Sequence, residues 1–203
     1  MKKIIIVGAG GHGKVIADIA SKCGYTDIMF IDDNSSVKTC MGCKVIGGLA
    51  VAECYKDSDY IVAIGNAKLR ERIQQDLILK GMNVVTLIHP SAVIGMNVTI
   101  GVGTVIMAGA VVNPDSKIGD GCIINTSSSV DHDNEICDYA HISVGSHLAG
   151  TVRIGKYSWV GAGAVVSNNI SICDECMIGA GAVVVKNIDV SGTYVGIPCL
   201  KIK

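Results

Sequence analysis

From Ile88 onward every sixth residue is aliphatic, and the phase never slips. The series runs Ile88, Ile94, Ile100, Ile106, Val112, Ile118, Ile124, Val130, Ile136, Ile142, Leu148, Ile154, Val160, Val166, Ile172, Ile178 and Val184. Against a background of roughly a quarter to a third Ile, Leu and Val, so long a run by chance has odds below about one in a hundred million. Four residues after each aliphatic a small or compact side chain recurs: Ala92, Val98, Thr104, Ala110, Ser116, Cys122, Ser128, Ala140, Ser146, Ser158, Ala164, Cys176 and Ala182. Such a period is the mark of a parallel β-helix built from hexapeptide repeats. Three hexads make one triangular coil of 18 residues, and each coil rises by one strand spacing, about 4.8 Å. The prism holds stacked Ile and Val but little else. That accounts for a chain that is 49% hydrophobic yet only 4% aromatic, with 25 Gly and 3 Pro.

Before the repeat the period is different. Ile4–Val7 reads as a short buried strand, followed by Gly8-Ala9-Gly10-Gly11-His12-Gly13 and an amphipathic stretch to about Cys23. Ile28–Ile31 is a second strand ending in Asp32-Asp33, and Tyr60–Ile64 a third ending in Gly65-Asn66. Lys68–Lys80 reads as a helix stopped by Gly81, and Val84–Ile88 as a last strand. Alternating strands and helices predict a small Rossmann-like βαβ unit with a parallel sheet. The expected organisation is therefore an α/β domain over residues 1–87 and a β-helix over residues 88–203.

Charge excludes some partners. Seventeen Lys and Arg against eighteen Asp and Glu leave −1, which speaks against nucleic acid and against a polybasic membrane surface. No run approaches the ~18 to 20 apolar residues of a spanning helix. The apolar start after Met1-Lys2-Lys3 is broken by His12, Lys14 and Asp18 with no cleavage-like site, so a soluble, cytoplasmic protein is expected. Nine cysteines, an odd number, fit reduced thiols. Cys40-x-x-Cys43 and Cys173-x-x-Cys176 resemble halves of a zinc site, but Cys176 falls in a small-residue core position and the other pair in the other domain; no metal is expected.

Two places carry the residues of chemistry. His132 stands at a non-core position of its hexad between Asp131 and Asp133, and Gly150 comes one coil later, directly above it. An imidazole oriented by a carboxylate is suited to take a proton, and a glycine above it leaves room and an approachable N–H. His141, Trp159 and Met177 form an outward column, 18 residues apart, beside His147. They form either a ligand-groove wall or a packing surface. Gly8-x-Gly10-x-x-Gly13 after a strand, with Asp32 ending the next, has the form of a dinucleotide fingerprint. The domain is half the size a dinucleotide needs, and the same helix N-terminus serves a single nucleotide diphosphate. His89, before Pro90, reads as structural.

The hexapeptide run, Ile-Val-Gly-Ala-Gly-Gly-His-Gly, Asp32-Asp33 and Val195-Gly196-Ile197-Pro198 together resemble the bacterial sugar O/N-acetyltransferases of the sialic-acid O-acetyltransferase type. The resemblance spans essentially the whole chain and is nearest to the UDP-4-amino-sugar N-acetyltransferases of the bacillosamine pathway. It implies a left-handed β-helix, a homotrimer with interfacial active sites, acetyl-CoA as donor and a nucleotide-linked sugar as acceptor. It also implies His132 as base, Asp133 beside it (where the bacillosamine enzymes usually have Glu), and the Gly150 amide on the thioester carbonyl. Asn125 is carried over as a polar neighbour of the base. His141, Ala162 and Ala180 are implied to meet acetyl-CoA. Gly10, Gly11, His12 and Gly65 are implied to bind the UDP-sugar, and Asp32 and Asp33 to hold uracil or ribose. Binding the nucleotide remotely would position the amine at His132.

Two other readings remain open on the residues. One is O-acetylation of sialic acid or another sugar hydroxyl, for which the acceptor discriminates. The other is a β-helix trimer that is a zinc enzyme or a scaffold, for which His132, His141 and His147, spaced nine and six, decide nothing.

Overall fold

The computed structural model describes residues 2–203, which divide into two compact units, one ending at Pro90 and one spanning Ser91–Lys203. The first holds a four-stranded parallel sheet. Its strands are β1 (Lys3–Val7), β2 (Asp27–Ile31), β5 (Asp59–Val62) and β6 (Asn83–Val84), in the order β2-β1-β5-β6. Between β2 and β5 lie a hairpin of β3 (Thr39–Cys40) and β4 (Cys43–Lys44) and a 3₁₀ helix, Leu49–Tyr55. Helices α1 (Gly11–Lys22) and α2 (Ala67–Leu79) follow β1 and β5. β1 is central, and Ile4, Ile5 and Ile6 are wholly buried, as a strand covered on both faces requires. The run expected as one strand over Val84–Ile88 divides instead. β6 pairs with β5 over two residues only, and Leu87–Ile88 forms a separate short strand.

In the second unit the six-residue period becomes three parallel faces of a left-handed β-helix. One face stacks Val105–Ile106, Ile123–Ile124, His141–Ile142, Trp159–Val160 and Cys176–Ile178, and Gly192–Val195 follows. The second is six-stranded, from Val93–Ile94 through Ser129–Val130 and His147–Leu148 to Val183–Val184. The third is five-stranded, from Thr99–Ile100 through Glu135–Ile136 to Ser171–Ile172. Pairing is in an 18-residue register throughout, as in Ser129↔His147 and His141↔Trp159. The aliphatic of each hexad points inward, so Ile106, Val112, Ile124, Val130, Ile142 and their successors form one continuous core. Each fully buried aliphatic contributes roughly 1.5–3 kcal/mol.

The corners obey a rule of their own. From Asn97 to Gly181 one residue in six takes φ between 55° and 72°. Glycine fills some of these places, but Asp115, Asp133, Thr151 and Asn169 fill others. The corner N–H groups bond one coil down: Asp133 to Pro114, Thr151 to His132, and Asn169 to Gly150. These bonds stack the peptide groups of residues 132 and 150 in one column.

Candidate active site and nucleotide pocket

His132 occupies the corner after Ser129–Val130, its side chain exposed. Nδ1 lies 2.7 Å from Asp133 Oδ2. A carboxylate only accepts, so Nδ1 carries the proton and Nε2 of the neutral ring is the free base. This bond is the main reason that the His132 pKa stands above the ordinary 6.5; burial opposes it, and the charges of Asp131 and Asp133 add to it. Asp133 reaches the ring because it is the left-handed corner residue, with φ 57°. Asp131 makes no hydrogen bond to the ring. Its carboxylate accepts from Asn113 Nδ2 and from the His132 N–H, bonds that hold it below the usual carboxylate range.

Gly150 stands where the register puts it. A β-carbon there would lie 2.6 Å from His132 Nε2 and Cε1, so only glycine leaves the ring its place. Among the described residues nothing accepts the Gly150 N–H.

Asn125, expected as a polar neighbour of the base, has its Nδ2 3.1 Å from His141 Nε2, and its Oδ1 accepts from the Thr126 N–H. It sits on the His141 face because Ile123 registers with His141, whereas His132 follows the neighbouring face. His141 stacks on Trp159 with ring centroids 4.8 Å apart and planes at 24°. Trp159 Nε1 donates to Ser143 Oγ, Met177 lies one coil further on, and both Trp159 and Met177 are exposed. Ala162 and Ala180 are exposed corner residues one coil apart, joined through the Gly181 N–H to the Ala162 carbonyl. His147 faces Ser129, Nδ1 to Oγ 2.8 Å.

In the first unit, the loop after β1 opens at the point where the sheet order changes direction, the usual crevice of such folds. Gly8 and Gly13 are required by packing: a β-carbon would meet the Ala63 carbonyl from Gly8 and the Gly8 carbonyl from Gly13. Gly10, Gly11 and Gly65 have open space at the same point, so nothing in the protein itself demands their smallness. The α1 N-terminus carries no side-chain cap and no acidic residue in its first turn, which leaves its amides for an anion. A cavity of about 340 Å³ is lined by Gly8, Gly10, Ile31, Asp32, Asp33, Leu49 and Ile64 among others.

The two aspartates are partly committed already. Asp32 accepts the Ala9 N–H on Oδ2 and the Asn34 N–H on Oδ1, and so clamps the glycine loop to β2. Asp33 takes the Leu49 N–H on Oδ1 alone and is part of the cavity lining. His12 lies outside that wall; burial, with the Arg70 charge, lowers its pKa to about 4, so it is neutral at physiological pH. The Arg70 Nη1 donates to the Ile64 and Gly65 carbonyls and fixes the turn before α2. His89 is buried.

Sequence reasoning passed over Arg70 and Asn134. The signal for Asn134 was its place: it stands in the small-residue slot four after Val130, where an amide is out of pattern. The cysteine pairs lie in different units. Cys40 and Cys43 face each other across the two-residue turn of the β3–β4 hairpin. Cys173 and Cys176 are 3.4 Å apart, with the Cys176 thiol pushed up to about 12, mainly by burial.

A βαβ unit with an uncapped glycine loop, joined to a hexapeptide β-helix bearing a His–Asp pair under a glycine, defines the architecture of the nucleotide-sugar acyltransferases. Residues 3–77 match the model of the PglD N-terminal domain, and residues 151–186 that of the bacterial transferase hexapeptide (six repeats). The acetyltransferase domain of PglB from Neisseria gonorrhoeae, solved in complex with acetyl coenzyme A, is 38% identical, with a TM-score of 0.96 and 99% of each chain covered. PerB from Caulobacter crescentus, in complex with CoA and GDP-perosamine, is 34% identical, with a TM-score of 0.95 over 100% of this chain and 98% of that one. UDP-N-acetylbacillosamine N-acetyltransferase of Bacillus subtilis is 39% identical over 110 residues, 51% of this chain and 50% of that protein. Matches to such curated relatives thus span about half their length. The chain belongs to the sugar O/N-acetyltransferases of the hexapeptide-repeat class. Among the described residues no helix is long and apolar enough to cross a membrane.

Proposed function

We propose that this protein transfers the acetyl group of acetyl-CoA to the 4-amino group of a nucleotide-linked sugar, with UDP as the nucleotide. The observation that carries the reading is the His132–Asp133 pair set against Gly150. His132 Nε2 takes a proton from the amine as its nitrogen attacks the thioester carbonyl, and Asp133 supports the imidazolium. The Gly150 N–H donates to the oxygen on which negative charge develops. Collapse of the tetrahedral intermediate breaks the C–S bond, and the CoA thiolate leaves and is protonated. The products are an acetamido sugar and free CoA.

The acceptor handle is the first unit. The α1 amides take the diphosphate, Gly10, Gly11 and Gly65 give it room, and neutral His12 contributes a hydrogen bond rather than a charge. Asp33, with an oxygen free, is the better placed of the two aspartates for base or ribose. UDP is favoured by the B. subtilis relative, whose name carries a UDP-sugar. Acetyl-CoA runs along His141, Trp159, Ala162 and Ala180. Asn125 then acts by holding His141 rather than the base.

A homotrimer completes the reading. The second β-helix face turns Val93, Val111, Val165 and Val183 outward around Ser129 and His147, and Val93 and Val165 are exposed. The third face presents Lys117, Glu135 and Arg153. The apolar face is the one suited to burial between subunits, and the site at its corner is then shared.

The test offers acetyl-CoA with UDP-, GDP- and dTDP-linked 4-amino sugars and with sialic acid, following free thiol. Turnover with the UDP-4-amino sugar alone is expected. Turnover with sialic acid and no amino sugar would overturn N-acetylation, and a fully active monomer in light scattering would overturn the shared site.

A further inference from the structure

We infer that Asn134 is a positioning residue for the acetyl-transfer step, setting the direction of the Gly150 N–H from inside the β-helix. The inference rests on the reading of His132 and Gly150 given above. Asn134 is buried at the slot where the hexads carry small residues. Its Nδ2 donates to the Asp131 carbonyl at 2.8 Å and to the Ala149 carbonyl at 3.1 Å, and its Oδ1 accepts the Val152 N–H. Below it Ser116 Oγ donates to the same Asp131 carbonyl and accepts the Asn134 N–H.

The two carbonyls matter because of the peptide groups they belong to. Asp131 C=O shares a plane with the His132 N–H, and Ala149 C=O shares one with the Gly150 N–H. In a trans peptide the C=O and N–H point in opposite directions. Drawing the Ala149 carbonyl inward therefore turns the Gly150 N–H outward, and polarises it as a donor. One buried amide thus reaches both peptide groups on which the proposed chemistry depends. A hydroxyl has a single proton and reaches one carbonyl; a hydrocarbon reaches neither.

Asn134→Val is the direct test, since Val152 fills the same slot one coil above and Val98 two coils below. With acetyl-CoA and the preferred 4-amino nucleotide sugar, kcat is expected to fall about 10- to 100-fold, toward the loss of an oxyanion donor. KM for acetyl-CoA is expected to hold within about threefold, and the acid limb of the kcat–pH profile to stay in place, since the His132–Asp133 pair is untouched. Asn134→Ser is expected to recover kcat to within about fivefold of the parent, because Ser116 shows that a serine here donates to the carbonyl 15 residues on. If the valine chain does not fold, Asn134→Ala carries the comparison. A valine or alanine variant with parental kcat, or a serine variant no better than they are, overturns the inference. His132→Ala separates the two failures: if it keeps more than about a tenth of the parental kcat, the underlying reading falls instead.

Discussion

The His132 imidazole lies directly against the α-carbon of Gly150, where a β-carbon would stand 2.6 Å from Nε2. Gly150 does not take a positive φ, so alanine there strains the ring's position and not the backbone. The ring is exposed and free to swing away. Gly150→Ala should therefore cost less than ~1 kcal/mol of stability while lowering kcat about 10²-fold, because the base leaves its line of attack. Thermal melts beside steady-state kinetics check this; an active Gly150→Ala enzyme would remove His132 from its role.

Asp133→Asn tests the partner. Asparagine tolerates the φ of 57° at this corner, so the fold should survive. The carboxylate raises the His132 pKa by stabilising the imidazolium, and the base acts in its neutral form. Activity is thus lost as pH falls through that pKa. In the variant the acid limb should move to lower pH while the plateau drops at least about tenfold, the imidazolium of the transition state being unsupported. A pH–rate profile decides, and an unmoved limb would count against the pair.

The loop glycines divide by purpose. Gly11→Ala enters open space and should leave thermal stability near parental while weakening UDP binding by about tenfold or more. Gly13→Ala drives its methyl into the Gly8 carbonyl and should destabilise the first unit by at least ~2 kcal/mol. Calorimetric titration with UDP, paired with melting curves, distinguishes them; equal effects on both readouts would refute the division.

His12 ties stability to pH. Its folded pKa of about 4 lies below the ordinary 6.5, so the unfolded chain binds the proton first. Stability is level above about pH 6.5 and declines as pH falls toward 4. Between pH 7 and 5 the loss from this group is on the order of 2 kcal/mol. Denaturant unfolding should show a smaller drop in His12→Gln over that interval, and an identical drop would exclude His12 as the cause.

Trp159 is the only tryptophan in the chain, and it is exposed and stacked on His141. Its fluorescence should change on titration with CoA. Trp159→Ala should raise KM for acetyl-CoA several-fold with little effect on kcat. A silent titration would leave Trp159 to packing alone.

The β-helix was readable because its period is enforced in every coil by the same steric slot, and the 18-residue register carries Gly150 over His132 and Trp159 over His141 without further information. What escaped depends on rotamers and on irregular chain. Asn125 turns toward His141 across a corner, a choice that register does not encode. The hairpin at Thr39–Lys44 and the helix at Leu49–Tyr55 lie in a stretch without periodicity, and so the Leu49 N–H that occupies Asp33 was invisible. Left-handed corners were hidden too, because Asp133, Thr151 and Asn169 fill them where glycine would have announced them.

The stacked corners make the site sensitive to counting rather than to composition. Eighteen residues inserted beyond Asn169 would add a floor to the prism and leave every column below it aligned. Removing a single residue between 133 and 149 would bring Thr151, side chain and all, over His132. Length variants of this chain that keep their chemistry should therefore differ in whole coils, or else place their extra residues in outward loops at a corner, where the tally on each face is undisturbed.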